Sequence, residues 1–309
     1  MKYKLYVFSV VCLILSACGE KKSSTESNNA SSIFELIVGG DDRILILNYD
    51  SLIDGTKKIN WELTTSEIIG LPDSIYPMLI PVDDHKSVAN DKKLLISSSS
   101  GAVVLLDRET KKSEFFAIAP NAHSIDYLPN NRIAVALSTA EDGNRIEIYD
   151  SRKSAVPIFN DTLYSGHGVT WNEDRKLLFA LGYDELRAYK LVNWDSDVPK
   201  LELEKKWKLP ESGGHDLFAP TSNYLLASSS NRVWKFEIDT ENFMPFDPIA
   251  NEKNVKSIFF NNTTGELLYT KGENDWWTHH IYSKNPENKF SIPEMRVYKT
   301  RVIKKPTAN

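Results

Sequence analysis

Short runs of alternating apolar and polar residues fill the chain from Ile33 onward, with turn residues between them. A period of two is typical of β-strands, because successive side chains of a strand point to opposite faces. No segment sustains the 3.6-residue spacing of an amphipathic helix. The pattern therefore predicts an all-β protein.

The runs recur as a repeat. Five segments of two strands each align by their apolar positions, and each is followed by a third strand and a looser fourth one. Equivalent positions near the start of the five segments carry His85, His123, His167, His215 and Lys256, at spacings of 38, 44, 48 and 41 residues. Periods of about 40–45 residues are typical of β-propeller blades. Each blade would be a four-stranded antiparallel sheet that buries its faces against its neighbours.

The two ends of the folded chain complete one further blade. Residues 34–50, FELIVGGDDRILILNYD, match only the second and third strands of a blade, and residues 295–303, MRVYKTRVI, best supply its missing first strand. Closure of this kind leaves no exposed sheet edge. We predict six four-stranded blades within residues 33–304, followed by a short tail at 305–309. A seventh blade would have to lie between Ser51 and Asp84.

Parts of the repeat resemble WD40 blades. VTWNEDRKLLFALG, which begins at Val169, is similar to their inner strand pair, and NRIEIYD, which ends at Asp150, to the strand that ends in Trp-Asp. In WD40 repeats the Gly-His dipeptide comes several residues earlier than Gly166-His167 does here. The resemblance implies that His167 faces the mouth of a central channel. The chain also resembles propeller lipoproteins of Gram-negative bacteria, a likeness that implies no particular reaction.

The N-terminus has the pattern of an export signal. Lys2 and Lys4 precede an apolar run at residues 5–15 that is too short for a membrane-spanning helix. The run ends in Leu-Ser-Ala-Cys18, which resembles a bacterial lipobox. The resemblance implies a signal peptide at residues 1–17, lipidation of Cys18 and a flexible tether at 18–32; an ordinary secretory signal is the alternative. We expect a cell-envelope protein, at the outer rather than the inner membrane because no Asp follows Cys18.

Composition narrows the function classes. Cys12 and Cys18 are the only cysteines, so the mature chain would hold no thiol for a disulfide, a zinc–thiolate site or a nucleophile. Loss of two of the 37 basic residues with the signal peptide changes the formal charge from −5 to −7. An acidic chain without a basic run is a poor candidate for nucleic-acid binding. Neither a Gly-x-Ser-x-Gly elbow nor a phosphate loop is present.

The recurring histidines are the candidate site. One explanation of the recurrence is that the blades were duplicated, and that a histidine with a packing or capping role was copied with them. The other is that equivalent positions of neighbouring blades point at the channel axis, so that the histidines meet there. In the second case His85, His123, His167 and His215 would form a site for a divalent metal such as Zn, Mn, Ni or Fe. With Lys256, and with Arg296 or Lys299, the same ring would suit an anionic ligand such as a uronic acid carboxylate.

Other residues near this ring have less specific signals. Asp84, Asp126 and Asp216 would either orient imidazoles or be ordinary turn and strand residues. Trp276-Trp277 would form a sugar-stacking surface or an exposed hairpin tip, and at most one of His279 and His280 could serve a given site.

The working hypothesis is a cell-envelope propeller that binds a divalent metal, an anionic carbohydrate or both at the channel mouth. It leaves open whether the carbohydrate is also cleaved, by elimination or hydrolysis. The alternative is a non-catalytic module that docks a protein or glycan on the same face.

Overall fold

The computed structural model describes residues 1–2, 34–153 and 155–304. The lipobox-like segment, the tether and the C-terminal tail lie outside the described residues. The strands, in chain order, are β1 (Phe34–Gly40), β2 (Arg43–Asn48), β3 (Ile59–Thr64), β4 (Asp84–Val88), β5 (Lys93–Ser97), β6 (Ala102–Asp107), β7 (Ser113–Ile118), β8 (Ala122–Leu128), β9 (Arg132–Leu137), β10 (Arg145–Asp150), β11 (Phe159–Thr162), β12 (Gly168–Asn172), β13 (Leu177–Leu181), β14 (Glu185–Val192), β15 (Lys200–Lys208), β16 (Leu217–Phe218), β17 (Tyr224–Ser228), β18 (Val233–Glu237), β19 (Asn242–Pro245), β20 (Val255–Phe260), β21 (Leu267–Lys271), β22 (His280–Lys284), β23 (Asn288–Ser291) and β24 (Lys299–Lys304).

Helical structure in the described residues is limited to short turns. These are the helix α1 (Tyr49–Ile53) and the 3₁₀ turns Thr65–Glu67, Tyr76–Leu79, Pro129–Asn131 and Asp247–Ile249. Within these same residues, no helix has both the length and the apolar character needed to cross a membrane.

The strands form six four-stranded antiparallel sheets, which are the six blades of a β-propeller. Blade 1 has the order β24-β1-β2-β3, and blades 2 to 6 are β4–β7, β8–β11, β12–β15, β16–β19 and β20–β23. The prediction of an all-β, six-bladed propeller is confirmed. The segment between Ser51 and Asp84 carries β3 and two 3₁₀ turns rather than a seventh blade.

Blade 1 is shared by the two ends of the folded chain, as predicted. β24 pairs antiparallel with β1, with Leu36 opposite Val302. The closing strand begins at Lys299 rather than at Met295, because Val297 instead bridges to Thr278 in the loop that leads into the third strand of blade 6.

The inner strands of each blade are buried on both faces, because a neighbouring blade packs against each face. This explains why these strands are almost continuously apolar. On β1, Ile37 packs toward blade 2 together with Leu94, whereas Leu36 and Val38 pack toward blade 6 together with Phe259. Alternate residues thus serve two different interfaces. The core of the propeller is therefore the sum of its inter-blade layers.

The innermost strands β24, β4, β8, β12, β16 and β20 surround the axis in that order. They belong to separate sheets, so the backbone groups on their inner edges need other partners. Side chains of the preceding blade supply several of these. Asp216 accepts from the amide of Ile258 at 2.8 Å, and the hydroxyl of Ser257 accepts from the amide of Thr300 at 3.0 Å.

A buried ionic cluster crosses the axis. Arg301 on β24 donates to Asp84 of blade 2 at 2.9 Å and makes a two-pronged contact with Asp216 of blade 5 at 2.8 and 3.0 Å. The ammonium of Lys299 lies 3.3 Å from Asp216 and 3.8 Å from Asp84. Burial opposes ionisation of Asp84, but the charges of Arg301 and Lys299 outweigh it and hold the pKa of that carboxyl well below its usual range. The closing strand is thereby fastened to two other blades.

We expect Arg301→Met to lower the free energy of unfolding by about 3–5 kcal/mol, because it leaves two buried carboxylates with one cation. Arg43→Met, which breaks an ion pair with Asp42 that is more than one-third solvent-exposed on both sides, is the matched control and is expected to cost about 1 kcal/mol or less. Urea unfolding followed by tryptophan fluorescence measures both. Equal losses in the two variants would contradict a fastening role for Arg301.

Candidate functional site

The residues that mark the repeat lie at the N-terminal ends of the innermost strands. The second residues of β4, β8 and β20 are His85, His123 and Lys256, respectively. His167 immediately precedes β12, and His215 lies two residues before the start of β16. We call this end of the channel the histidine mouth.

Three of the four histidines meet there. The rings of His123 and His167 have centroids 4.4 Å apart, and those of His167 and His215 lie 5.1 Å apart, both in edge-to-face arrangement. The recurrence in sequence thus corresponds to a contiguous imidazole cluster contributed by blades 3 and 4 and by the start of blade 5.

His85 has a different environment. It is fully buried, and its Nε2 donates to the carbonyl of Ile37 in blade 1 at 3.1 Å. Its ring packs onto the backbone of Gly39, where a β-carbon would lie 2.3 Å from Nδ1. Glycine at 39 therefore makes room for this imidazole, which fills an inter-blade gap and makes no ring contact with the other three histidines.

The imidazoles of His123 and His167 are oriented by the same kind of hydrogen bond, from Nδ1 to the backbone carbonyl two residues earlier. Nδ1 of His123 donates to the carbonyl of Asn121 at 3.2 Å, and Nδ1 of His167 donates to the carbonyl of Ser165 at 2.9 Å. With the proton on Nδ1, the Nε2 atom of a neutral imidazole is a hydrogen-bond acceptor.

The imidazoles of the cluster are held neutral. Burial, and then the positive charge of Lys299, lower the pKa of His123 to about 3. Burial and the neighbouring Lys256 lower that of His215 to about 2, and burial also holds the pKa of His167 well below its usual value. At neutral pH the cluster therefore presents lone pairs rather than positive charge.

Lys256 is the cation nearest to the cluster. Its Nζ donates to Nε2 of His215 at 3.1 Å and lies 4.8 Å from the centre of the Trp276 ring. Burial, and then the charge of Lys299, lower the pKa of Lys256 to about 7. Of the two residues expected to complete the ring, Lys299 lies inside the channel, whereas Arg296 is half-exposed and pairs with Asp41.

The histidine mouth opens into a cavity of about 630 Å³, which is within the range of small-molecule sites. Its wall includes the three clustered histidines, both Trp276 and Trp277, and Tyr298. Asp83 is also in the wall, and burial raises the pKa of its carboxyl to about 7. The sequence analysis missed Asp83; its one signal was the acidic pair that precedes His85.

Exposed aromatic side chains surround this cavity. Among the described residues, the large aromatic side chains with the greatest exposure to solvent are Tyr164, Tyr183 and Trp276, at 58, 44 and 58 %. Tyr183 and Trp276 line the cavity, and the ring of Tyr164 lies 5.6 Å from that of Tyr183. We call these three residues the aromatic rim.

The remaining candidates of the sequence analysis have other contacts. The carboxylates of Asp84 and Asp216 are taken by Arg301, and Asp126 pairs with Lys86 at 3.2 Å. His280 contacts Glu273 at 2.6 Å, and His279 reaches the carbonyl of Ile292. In the part of the chain that the structure describes, none of these five side chains hydrogen-bonds an imidazole of the cluster, although the charge of Asp216 partly opposes the lowering of the pKa of its neighbour His215. No group of three or more His, Cys, Asp or Glu side chains in the described part of the chain has the arrangement of a metal site.

Acid should destabilise the fold through these histidines. Burial lowers the pKa of His85 from 6.5 to about 4, so the unfolded chain binds a proton at this residue that the native state excludes. The stabilisation is complete above pH 6.5 and is lost as the pH falls toward 4. We expect His85 alone to account for about 2 kcal/mol of the loss in unfolding free energy between pH 7 and pH 5. Urea unfolding of His85→Gln should show a smaller loss; an unchanged pH dependence would contradict the assignment.

Comparison with known proteins places the chain in a family without assigning it a reaction. No curated protein matches it. The model of one family, described as a family of unknown function (DUF6528), matches residues 3–308, which is nearly the whole chain. The chain therefore belongs to the DUF6528 family.

Proposed function

We propose that the histidine mouth binds an acidic carbohydrate, and that a lipidated N-terminus holds the propeller at the cell envelope. The observation that carries the proposal is the coincidence of the aromatic rim with the cavity of the imidazole cluster. Single exposed apolar side chains are normal on a folded protein, but a set of aromatic ones gathered around one cavity is typical of a binding surface.

The groups at the mouth complement a sugar ring. A pyranose has an apolar face, which matches the flat side of Trp276, and a periphery of hydroxyl donors. The Nε2 lone pairs of His123 and His167 are acceptors for such donors. Neutral imidazoles are required for this role, and burial keeps them neutral.

The charge at the mouth favours an acidic rather than a neutral sugar. The ammonium of Lys256 lies over the ring of Trp276, and a carboxylate nearby would stabilise its protonated form. Asp83 faces the same cavity, and with a pKa of about 7 its carboxyl is partly protonated near neutral pH. A bound anion would favour that protonated form. In that protonated form Asp83 is also the group available as a proton donor if the bound sugar is cleaved.

Trp276→Ala should weaken binding of a tetramer of galacturonic acid by about tenfold, because tryptophan side chains that pack against a ligand often carry much of the binding energy. Trp276→Phe should retain most of the affinity. Ile69→Ala, at 57 % exposure but outside the mouth, is the matched control and should bind as the wild type does. Isothermal titration calorimetry measures all four proteins.

The role of the Lys256 charge is tested by comparing binding of the galacturonic acid tetramer with binding of a neutral tetrasaccharide. Lys256→Met should weaken binding of the acidic tetramer more than that of the neutral one. Absence of binding at millimolar concentrations of the acidic tetramer, or equal affinity of wild type and Trp276→Ala, would overturn the proposal.

The orientation of two histidines supports a second candidate, a divalent metal. Metal-bound imidazoles generally donate their other ring N–H to a carbonyl or carboxylate, as His123 and His167 do here. Their lowered pKa values also suit metal ligation, which requires neutral imidazole. These two Nε2 atoms would hold the ion, with the remaining positions open to water or ligand.

Metal analysis of untagged protein equilibrated with Zn²⁺ tests this candidate. One ion per chain is expected in the wild type and in the control His280→Ala, and none in the double variant His123→Ala with His167→Ala. Zinc retained by the double variant, or absent from the wild type, would contradict a metal at this mouth.

A further inference from the structure

A second cavity lies at the other end of the channel. It has a volume of about 460 Å³ and is lined by the later residues of the innermost strands, with a contribution from every blade. One lining residue from each blade, in order from blade 1, is Arg301, Lys86, Asp126, Trp171, Phe218 and Ile258. We call this cavity the second mouth.

The second mouth exists because one innermost strand stops early. β16 has two residues, Leu217–Phe218, whereas the other five innermost strands have five to seven. Pro220 follows within two residues, and proline has no N–H to offer a strand ladder. The space that a longer strand would fill is left open to the channel.

The two sides of the second mouth differ in polarity. Blades 2 and 3 contribute the charged residues Lys86 and Asp126. Blades 5 and 6, which face them across the ring, contribute no charged residue to the lining; their part is mostly apolar, with Phe218 and Ile258 as examples, and also includes the uncharged polar residues Thr221, Asn261, Asn262 and Thr263. A ligand that satisfies both sides has an apolar body and a polar group at one edge.

The polar side has donors to spare and few acceptors. The ammonium of Lys86 donates to the carbonyl of Val169 at 2.9 Å and pairs with the carboxylate of Asp126 at 3.2 Å. These two contacts account for two of its three N–H groups. The contacts of Arg301 account for three of its five N–H groups. Both oxygens of Asp126 already accept backbone N–H groups, from Tyr127 and Trp171. The group that fits is therefore an acceptor, and an anionic one makes the stronger bonds.

We propose that the second mouth is a separate binding site for a small carboxylate with an apolar body, with that body against the wall of blades 5 and 6 and the carboxylate on Lys86 and Arg301. This site does not depend on carbohydrate binding at the histidine mouth. The two cavities are separated by the ionic cluster of Arg301, Lys299, Asp84 and Asp216.

The experiment uses 3-phenylpropionate as the probe, with 3-phenylpropanamide as its neutral counterpart and 3-phenylpropylamine as its cationic one. Calorimetry on the wild-type protein should show that the carboxylate binds at least about tenfold more tightly than either. Equal binding of the amide, or tighter binding of the amine, would overturn the proposal, as would absence of carboxylate binding.

Two substitutions should act in opposite directions. Lys86→Met should weaken carboxylate binding by about tenfold or more. Asp126→Asn should strengthen it, because the variant removes the negative charge that competes for Lys86, while the amide oxygen still accepts one of the two backbone N–H groups. Lys93→Met, which breaks the ion pair with Glu114 outside the cavity, should have no effect. Weaker binding in Asp126→Asn would contradict the proposal even if Lys86→Met fails to fold.

Discussion

The contact of Arg301 with Asp84 and Asp216 is the interaction on which the rest of the propeller depends. A ring of blades is held by its side-to-side packing, and here the ring is closed by the blade that both ends of the folded chain share. Here the last strand of the chain carries a guanidinium that engages blades 2 and 5 across the axis. Buried charges of this kind are costly unless each is paired, so the cluster forms only when all three blades are in place. Closure is therefore tied to one register of β24.

The same strand shapes the electrostatics of the histidine mouth. Lys299, two residues before Arg301, lowers the pKa of His123 and of Lys256 in addition to the effect of burial. Lys299 is itself held in place by Asp216. The neutrality of the imidazoles and the reduced charge of Lys256 thus follow from how the ring is closed. The ion pairs that close the ring at the axis and the pKa values of the groups at the histidine mouth therefore depend on the same strand, β24.

Much of the fold could be predicted from the sequence because the blade pattern is local. Strand periodicity and the repeat gave six blades, and the incomplete N-terminal unit indicated the shared blade. The site was harder, because equivalent positions do not guarantee equivalent contacts. His85 has the same phase as His123, but the bare backbone at Gly39 allows it to turn into blade 1. Arg301 and Asp83 have no repeat signal, and their importance comes from burial that arises only in the assembled ring.

The blade that both ends of the folded chain share also determines at which end of the channel the chain enters the propeller. β24 runs from the histidine mouth toward the second mouth, and β1 is antiparallel to it, with Phe34 opposite Lys304. The chain therefore enters the propeller on the side of the second mouth. The folded chain thus begins and ends beside the second mouth. The aromatic rim lies at the opposite end of the channel, away from both ends of the folded chain.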